Sequence, residues 1–314
     1  MYPEEALGAG YGVERVIPPV SFGKGSFQRF SWRLCMVRIV ADTTAGLPGE
    51  SLAALGIACL PQIVIFGEQS YRDDTELDTA AFLQKLKAAA ALPKTAAPPP
   101  LLYHPIFEQA RQAGEEVVVV APSTQLSGTV RAAEVAAQDF PDLNVQVVDT
   151  RTIAGNLATL VLLARQWAGE GQDARAIVAR LQEWIPRGRT YFLVNTLEYL
   201  QKGGRIGGAQ ALLGELLQVK PILCLREGRV EPFEQQRTKK RALLRLAEII
   251  QEECPPSAEA HLCIMQADAA EEAQALAADL KDLLRLPGVP IYELPPAIVV
   301  HAGPGVMAAG FFVA

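Results

Sequence analysis

The sequence predicts an α/β fold in two domains, an N-terminal parallel βαβ sheet domain and a C-terminal mixed α/β domain. Three observations lead there. From Met36 onward, short apolar runs of strand length alternate with longer amphipathic runs of helix length. That alternation is the pattern of βαβ units, whose parallel sheet is covered on both faces. Near the middle, Pro186-Arg187-Gly188-Arg189 interrupts the pattern and sets a boundary between residues 36–187 and 188–314. Beyond it two strands are joined by the tight turn Arg226-Glu227-Gly228, a β-hairpin signal that departs from the earlier alternation. A length of 314 residues accommodates two ordinary domains.

The elements follow in order. Val37–Ala41 is an opening strand that ends in Asp42-Thr43-Thr44. Ile57–Phe66 reads as a strand, with Pro61 at an edge or bulge because proline donates no ladder hydrogen bond. Asp78–Ala91 and Leu101–Ala113 read as helices, and Lys94-Thr95 with Ala96-Ala97-Pro98-Pro99-Pro100 reads as a Pro-rich linker between them. Glu116–Ala121 carries four consecutive valines and is a buried strand. Ser127–Ala137 is a helix, Asn144–Val148 a strand, and Ala154–Ala168 and Ala174–Trp184 are helices. The second half starts with strand Thr190–Val194 and a Gly-rich turn, Lys202–Gly208, among short helices. Lys220–Leu225 and Arg229–Gln235 form the hairpin, Thr238–Glu253 an amphipathic helix, His261–Gln266 a strand, and Glu271–Leu286 a helix. Ala297–Ala314 is the most apolar window and approaches the roughly 20 residues of a membrane span. Gly303-Pro304-Gly305 divides it, so it is expected to form a pair of buried strands joined by a turn. Residues 1–35 lack periodicity and carry several glycines and Pro18-Pro19, and are expected to be a poorly ordered N-terminal extension.

Composition narrows the function. Half of the residues are hydrophobic and a fifth are charged, which excludes a disordered or collagen-like chain. A net charge of −6 makes a poor general nucleic-acid binder. The five cysteines are odd in number, scattered and without a CxxC pair, which argues against a disulfide framework or zinc site and for a reducing, cytoplasmic setting. Only three histidines are present, so a multi-histidine metal site would need all of them to converge. The start of the chain, with Glu4 and Glu5 and no continuous apolar stretch, does not read as a signal peptide.

Small hydroxyl residues follow three predicted strands: Thr43-Thr44, then Ser123-Thr124 with Ser127-Gly128-Thr129, then Thr150 and Thr152. Strand C-termini line the crevice of an open parallel sheet, and the helix that follows offers free N–H groups to an anion. Ser127 adds a hydroxyl donor, and Gly128 lets a ligand approach the backbone. The competing reading is helix capping, for which Ser and Thr are preferred. There is no GxSxG, HExxH or P-loop motif, so no catalytic machinery is evident. Ser127 with His301 could form a nucleophile and base, with no third member in view. His301, nearly alone as a polar group in its window, is either a satisfied core residue or a donor at the end of an apolar pocket. Arg205 in the Gly-rich turn and Arg237 before a helix are anion-binding candidates or solvated surface.

Several stretches together resemble the DegV family of fatty-acid-binding proteins. Val37–Pro48 looks like the family's opening strand and Asp-Ser turn, and Tyr71-Arg72-Asp73 is similar to its Tyr-x-Asp. Lys94-Thr95 matches the start of its Lys-Thr-Ser-Gln-Pro stretch, and Ser123–Thr129 resembles its Ser-Ser-x-Leu-Ser-Gly-Thr motif. Leu197–Ile206 is nearly its Leu-x-x-Leu-x-x-Gly-Gly-Arg-Ile, and Lys220-Pro221-Ile222 and His301–Gly305 also fit. The likeness covers about Met36 to Ala314, and the order and spacing of the motifs make it specific.

The resemblance implies one long-chain fatty acid buried in a pocket between the domains. It implies that Thr95 and Ser127 hold the carboxylate, beside Gly128, with His301 in the head-group region. It further implies presentation of the acid to a separate fatty-acid kinase, with Arg205 and Arg237 handling the phosphoryl group or docking the kinase. No cofactor, metal, nucleic acid or membrane-spanning segment is implied. The two arginines flank polar or Gly-rich segments, so both are expected near the surface and away from the acyl chain. This chain departs from the family pattern at Ala96-Ala97, at Gly46, and in the turn Thr152-Ile153-Ala154-Gly155-Asn156. Two readings from other classes stand beside it. One is a Ser127/His301 acyl hydrolase or transferase, and the other a dihydroxyacetone-kinase-like subunit with a covalently held sugar in a polar pocket.

Overall fold

The computed structural model describes residues 36–213 and 219–314, so the expected extension at residues 1–35 lies outside the described residues. The chain opens with β1 (Val37–Asp42), α1 (Gly49–Ala54), β2 (Ala58–Leu60), β3 (Ile63–Phe66) and β4 (Gln69–Arg72). It continues through α2 (Thr79–Ala88), β5 (Lys94–Ala96), α3 (His104–Ala113), β6 (Glu116–Ala121), α4 (Thr129–Ala137) and β7 (Val145–Asp149). Two helices, α5 (Gly155–Gly169) and α6 (Ala174–Trp184), lead to β8 (Gly188–Leu193) and the short α7 (Glu198–Lys202). The last part holds β9 (Lys220–Arg226), β10 (Arg229–Gln236), α8 (Lys239–Glu253), β11 (Cys263–Ala267), α9 (Ala270–Leu284), β12 (Ile291–Glu293), α10 (Pro296–Ala302) and β13 (Val306–Phe312).

These strands make three sheets. The first, in order β2-β1-β6-β7, is parallel throughout, as βαβ alternation requires. A small antiparallel sheet, β4-β3-β5, is built from the segment after β2. The third, β10-β9-β8-β13-β11-β12, is antiparallel except for its β11–β12 edge. The molecule is therefore mixed α/β, with one parallel and one mixed main sheet.

Three sequence expectations are corrected here. Ala297–Ala314 is not two strands: its first half is α10 and only Val306–Phe312 is a strand. Pro296 occupies the first turn of α10, where its missing N–H costs nothing. Gly303, at φ 78°, ends the helix in a conformation only glycine adopts freely. Ile57–Phe66 is not one strand: Pro61-Gln62 divides it, and β2 and β3 lie in different sheets. Lys94-Thr95 is not linker but β5, paired antiparallel with Ile65 and Val64.

Burial follows from the layers. Ile39, Val118, Leu160 and Ile177 pack α5 and α6 on one face of the parallel sheet. Phe107, Val119 and Ala133 pack α3 and α4 on the other. Helices α8 and α9 cover one face of the mixed sheet through Leu246, Ile264 and Leu280. The opposite face carries the row Phe192–Ala308–Met265, set by direct cross-strand pairing. Side chains alternate along a strand, so Thr190, two residues from Phe192, shares its face. That face turns toward α10 and toward Phe82 of α2. Helix α5 has buried residues on all sides and its N-terminus seats on this sheet, where the Gly155 N–H meets Met265 Sδ at 3.0 Å.

Candidate functional site

Between the parallel sheet and the mixed sheet lies a cavity of about 890 Å³, mouth included. Phe192, Met265 and Ala308 form the floor, and Ile153, Leu225 and Val230 are among the apolar walls. The polar side chains that reach it are few: Thr44, Gln62, Thr95, Ser127, Arg205 and His301, with Thr190 on the sheet floor.

Thr95 and His301 meet at this site although 206 residues separate them, with Thr95 Oγ1 and His301 Nε2 2.8 Å apart. Strand β5 supplies the threonine and the last turn of α10 the histidine. Burial, reinforced by the nearby Arg205 charge, pushes the His301 pKa down to about 4. The imidazole is thus neutral at pH 7. Its Nδ1 is buried without a partner and faces Gly203, where an added Cβ would stand 2.2 Å away. An unpartnered buried acceptor is less costly than a wasted N–H donor, so the proton belongs on Nε2 and is given to Thr95. Thr95 then keeps its own hydroxyl proton for a ligand.

Ser127 belongs to a different chain of contacts. Its Oγ lies 3.0 Å from Thr129 Oγ1 and accepts the Thr129 N–H at 3.3 Å. Thr129 in turn donates to Asp42 Oδ2 at 2.6 Å. Gln62 Nε2 donates to the same Asp42 oxygen at 2.7 Å and to Thr129 Oγ1 at 3.0 Å. The other Asp42 oxygen accepts the Thr44 N–H at 2.9 Å and the Thr44 hydroxyl. Helix α4 starts at Thr129 with Gly128 at its N-cap, so Ser127 Oγ, which accepts the Thr129 N–H, serves the first turn of that helix while its side chain also lines the cavity. Gly128 is exposed at the cavity wall, and its Cβ position lies 3.5 Å from the Ala97 methyl. Ala97 lines the cavity there and offers no polar group, while Ala96 is exposed.

The arginines separate. Arg205 lines the cavity and is half-buried. Its Nε donates to the Leu126 carbonyl at 3.1 Å and its Nη1 to the Gly203 carbonyl at 2.7 Å, aiming the guanidinium at the polar end. Arg237 is exposed on the turn between β10 and α8 and does not line the cavity. Ser127 and His301 both line it, yet they do not hydrogen-bond each other: the partner of Ser127 is Thr129, and that of His301 is Thr95. Thr44, one of the hydroxyl residues expected after the first strand, lines the cavity, whereas sequence reasoning missed Asp42 and Gln62 as members of the site. The position of Asp42 at a strand C-terminus was an available signal, whereas Gln62 after Pro61 offered none. Among the described residues no group of three or more His, Cys, Asp or Glu is placed to hold a metal, and no helix is long and apolar enough to cross a membrane.

Fold and cavity together define a class: an α/β protein with a mostly apolar cavity that carries a few polar groups. The family described as "Uncharacterised protein, DegV family" matches residues 36–314, and the chain belongs to the DegV family. A DegV domain-containing protein from Deinococcus radiodurans is 38% identical over 270 residues, covering 86% of this chain and 95% of that protein. Among solved structures, a fatty-acid-binding DegV family protein from Thermus thermophilus is 32% identical with a TM-score of 0.81. That match covers 89% of this chain and 100% of the other. The fatty acid kinase (Fak) B3 protein from Streptococcus pneumoniae, loaded with linoleic acid, has a TM-score of 0.77 at 19% identity, a likeness of fold alone. It covers 89% of this chain and 100% of the other.

Proposed function

We propose that this chain binds one long-chain fatty acid in the cavity between two domains, residues 36–187 and 188–314, and presents its carboxylate to a separate fatty-acid kinase. The observation that carries the reading is the polarity of the cavity: apolar along its length, with hydroxyl, imidazole and guanidinium groups gathered at the end formed by Thr95, Ser127, Arg205 and His301. Burying ten methylenes is worth roughly 8 kcal/mol before association costs, so the acyl chain supplies most of the affinity. Thr95 and Ser127 then fix the carboxylate, each as a charge-assisted donor. His301 keeps Thr95 oriented. The solved Thermus relative, named as fatty-acid binding, supports the ligand class.

Presentation to a kinase is the finer part of the proposal. The sequence resemblance supports it, and so does Arg205, whose guanidinium reaches the polar end and suits a phosphoryl group. Exposed Arg237 is suited to a partner surface instead. The hydrolase reading lacks support, because Ser127 and His301 are each committed to other partners. A covalent sugar subunit would need a polar pocket, and the walls here are mainly apolar. Native mass spectrometry of the purified protein, followed by lipid extraction, tests the ligand. One non-covalent fatty acid per chain is expected. Delipidated protein that gains no thermal stability from palmitate or oleate would refute it, because a ligand binding only the native state must stabilise it.

A further inference from the structure

The two carboxylate-binding hydroxyls are prepared differently, and the difference lies behind Ser127. Thr95 has its proton free, because His301 donates to it. Ser127 does not, as donor arithmetic along the chain Asp42–Thr129–Ser127 makes plain. Thr129 has one hydroxyl proton. While Asp42 is ionised, that proton goes to Asp42 Oδ2, 2.6 Å away. Thr129 Oγ1 is then only an acceptor, taking one bond from Gln62 Nε2 and one from Ser127 across their 3.0 Å contact. The Ser127 proton thus points away from the cavity, and a lone pair faces an incoming carboxylate. With a proton on Asp42 Oδ2 the chain reverses: Asp42 donates to Thr129, Thr129 to Ser127, and Ser127 to the ligand. The two arrangements use the same atoms and differ by one proton.

Resting on the fatty-acid reading above, we propose that Asp42 takes up one proton as the fatty-acid carboxylate binds, through the hydroxyl chain Thr129–Ser127. The proton comes from solvent and ends on Asp42 Oδ2, and no covalent bond of the ligand changes. Asp42 is a positioning residue acting through Ser127. Its surroundings favour uptake. The titratable groups that face it are Cys59 of β2, Asp73 after β4 and Tyr103 before α3, all feeling the Asp42 charge, and none of them is cationic. Desolvation by burial raises the Asp42 pKa against the pull of its Thr129, Thr44 and Gln62 donors. A second anion at Ser127 adds to that effect.

Calorimetric titration of delipidated protein with monomeric palmitate, in two buffers of different ionisation enthalpy, counts the protons taken up. Wherever Asp42 is ionised in the free protein, the wild type should take up a fraction of a proton that rises toward one with pH, and affinity should fall by up to about tenfold per pH unit. In Asp42→Asn the amide donates permanently to Thr129, so the uptake vanishes and affinity becomes independent of pH. Thr129→Val cuts the chain and also abolishes uptake, whereas Thr129→Ser keeps the hydroxyl and restores it. Thermal melts show which variants fold, and the Thr129 pair decides the matter if Asp42→Asn does not. Palmitate binding without uptake at any pH overturns the proposal alone. So does uptake that survives the substitutions, which places the proton on Asp73, on His301 or on the ligand. Absence of palmitate binding overturns the fatty-acid reading and this proposal with it.

Discussion

Gly203→Ala should disturb the polar end of the cavity without touching a ligand contact. Gly203 has φ −76°, which any residue adopts, so backbone strain plays no part. The cost is steric. A Cβ at this position would stand 2.2 Å from His301 Nδ1 and 2.9 Å from the Tyr199 carbonyl oxygen, whereas ordinary contact begins near 3.4 Å. The imidazole must retreat by about 1.2 Å, since the backbone oxygen cannot give as easily. That displacement is enough to break the 2.8 Å bond from His301 Nε2 to Thr95. Overpacking of this kind costs about 1–3 kcal/mol, and the lost hydrogen bond about 1 kcal/mol more. For a chain of this size the melting temperature should fall by about 3–7 °C. Palmitate affinity should fall by on the order of tenfold, the equivalent of one oriented donor. Scanning calorimetry of delipidated protein with and without palmitate measures both. Gly49→Ala is the control, because nothing lies within 4 Å of its Cβ position. If Gly203→Ala melts like the control and gains as much from palmitate as wild type, His301 does not pack against Gly203 as argued.

Three other outcomes are expected. Ser127→Ala and Thr95→Val should each lower palmitate affinity by on the order of ten- to a hundredfold, measured by titration calorimetry, because each removes a donor to a charged group. Full affinity in the double variant would place the carboxylate elsewhere. Arg205→Ala should slow acyl-phosphate formation by a supplied kinase more than it weakens palmitate binding. Arg237→Ala should leave binding unchanged and weaken kinase association, read by co-sedimentation, and loss of palmitate affinity in that variant would contradict its exposed position. Asp73→Asn should stabilise the protein at pH 8 and lose that advantage as pH falls toward 4. Burial raises the Asp73 pKa to about 7, and its Oδ2 has no partner. A buried acid with a raised folded pKa contributes stability below the unfolded value near 4 that is lost as pH rises through about 7. Removing the charge should therefore recover up to about 4 kcal/mol at pH 8, visible in urea melts at both pH values. Equal stability of both proteins at pH 8 would contradict the raised pKa.

The sequence by itself determined the alternation of strands and helices through the first half, because a parallel sheet demands crossover helices and covered strands, as at the four valines 117–120. It also determined the order of the Ser123–Thr129, Lys202–Gly208 and His301–Gly305 segments, each marked by glycine or hydroxyl residues that constrain the local backbone. Ser127 and His301 were legible as individual residues for that reason, whereas Thr95 stood out only through the resemblance to the DegV family. Only the tertiary structure decided what Ala297–Ala302 forms. An apolar run buried on all sides has no polar face, so its period cannot distinguish helix from strand. Packing against the mixed sheet settled it as α10. Tertiary structure likewise made Lys94-Thr95 a strand, because β3 offered an edge to a segment whose composition favours neither state. The partnership of Asp42 with Thr129 spans 87 residues, and that of Thr95 with His301 spans 206. Local patterns carry no information on such separations, since it is the stacking of sheets and helices that brings these side chains within hydrogen-bond reach.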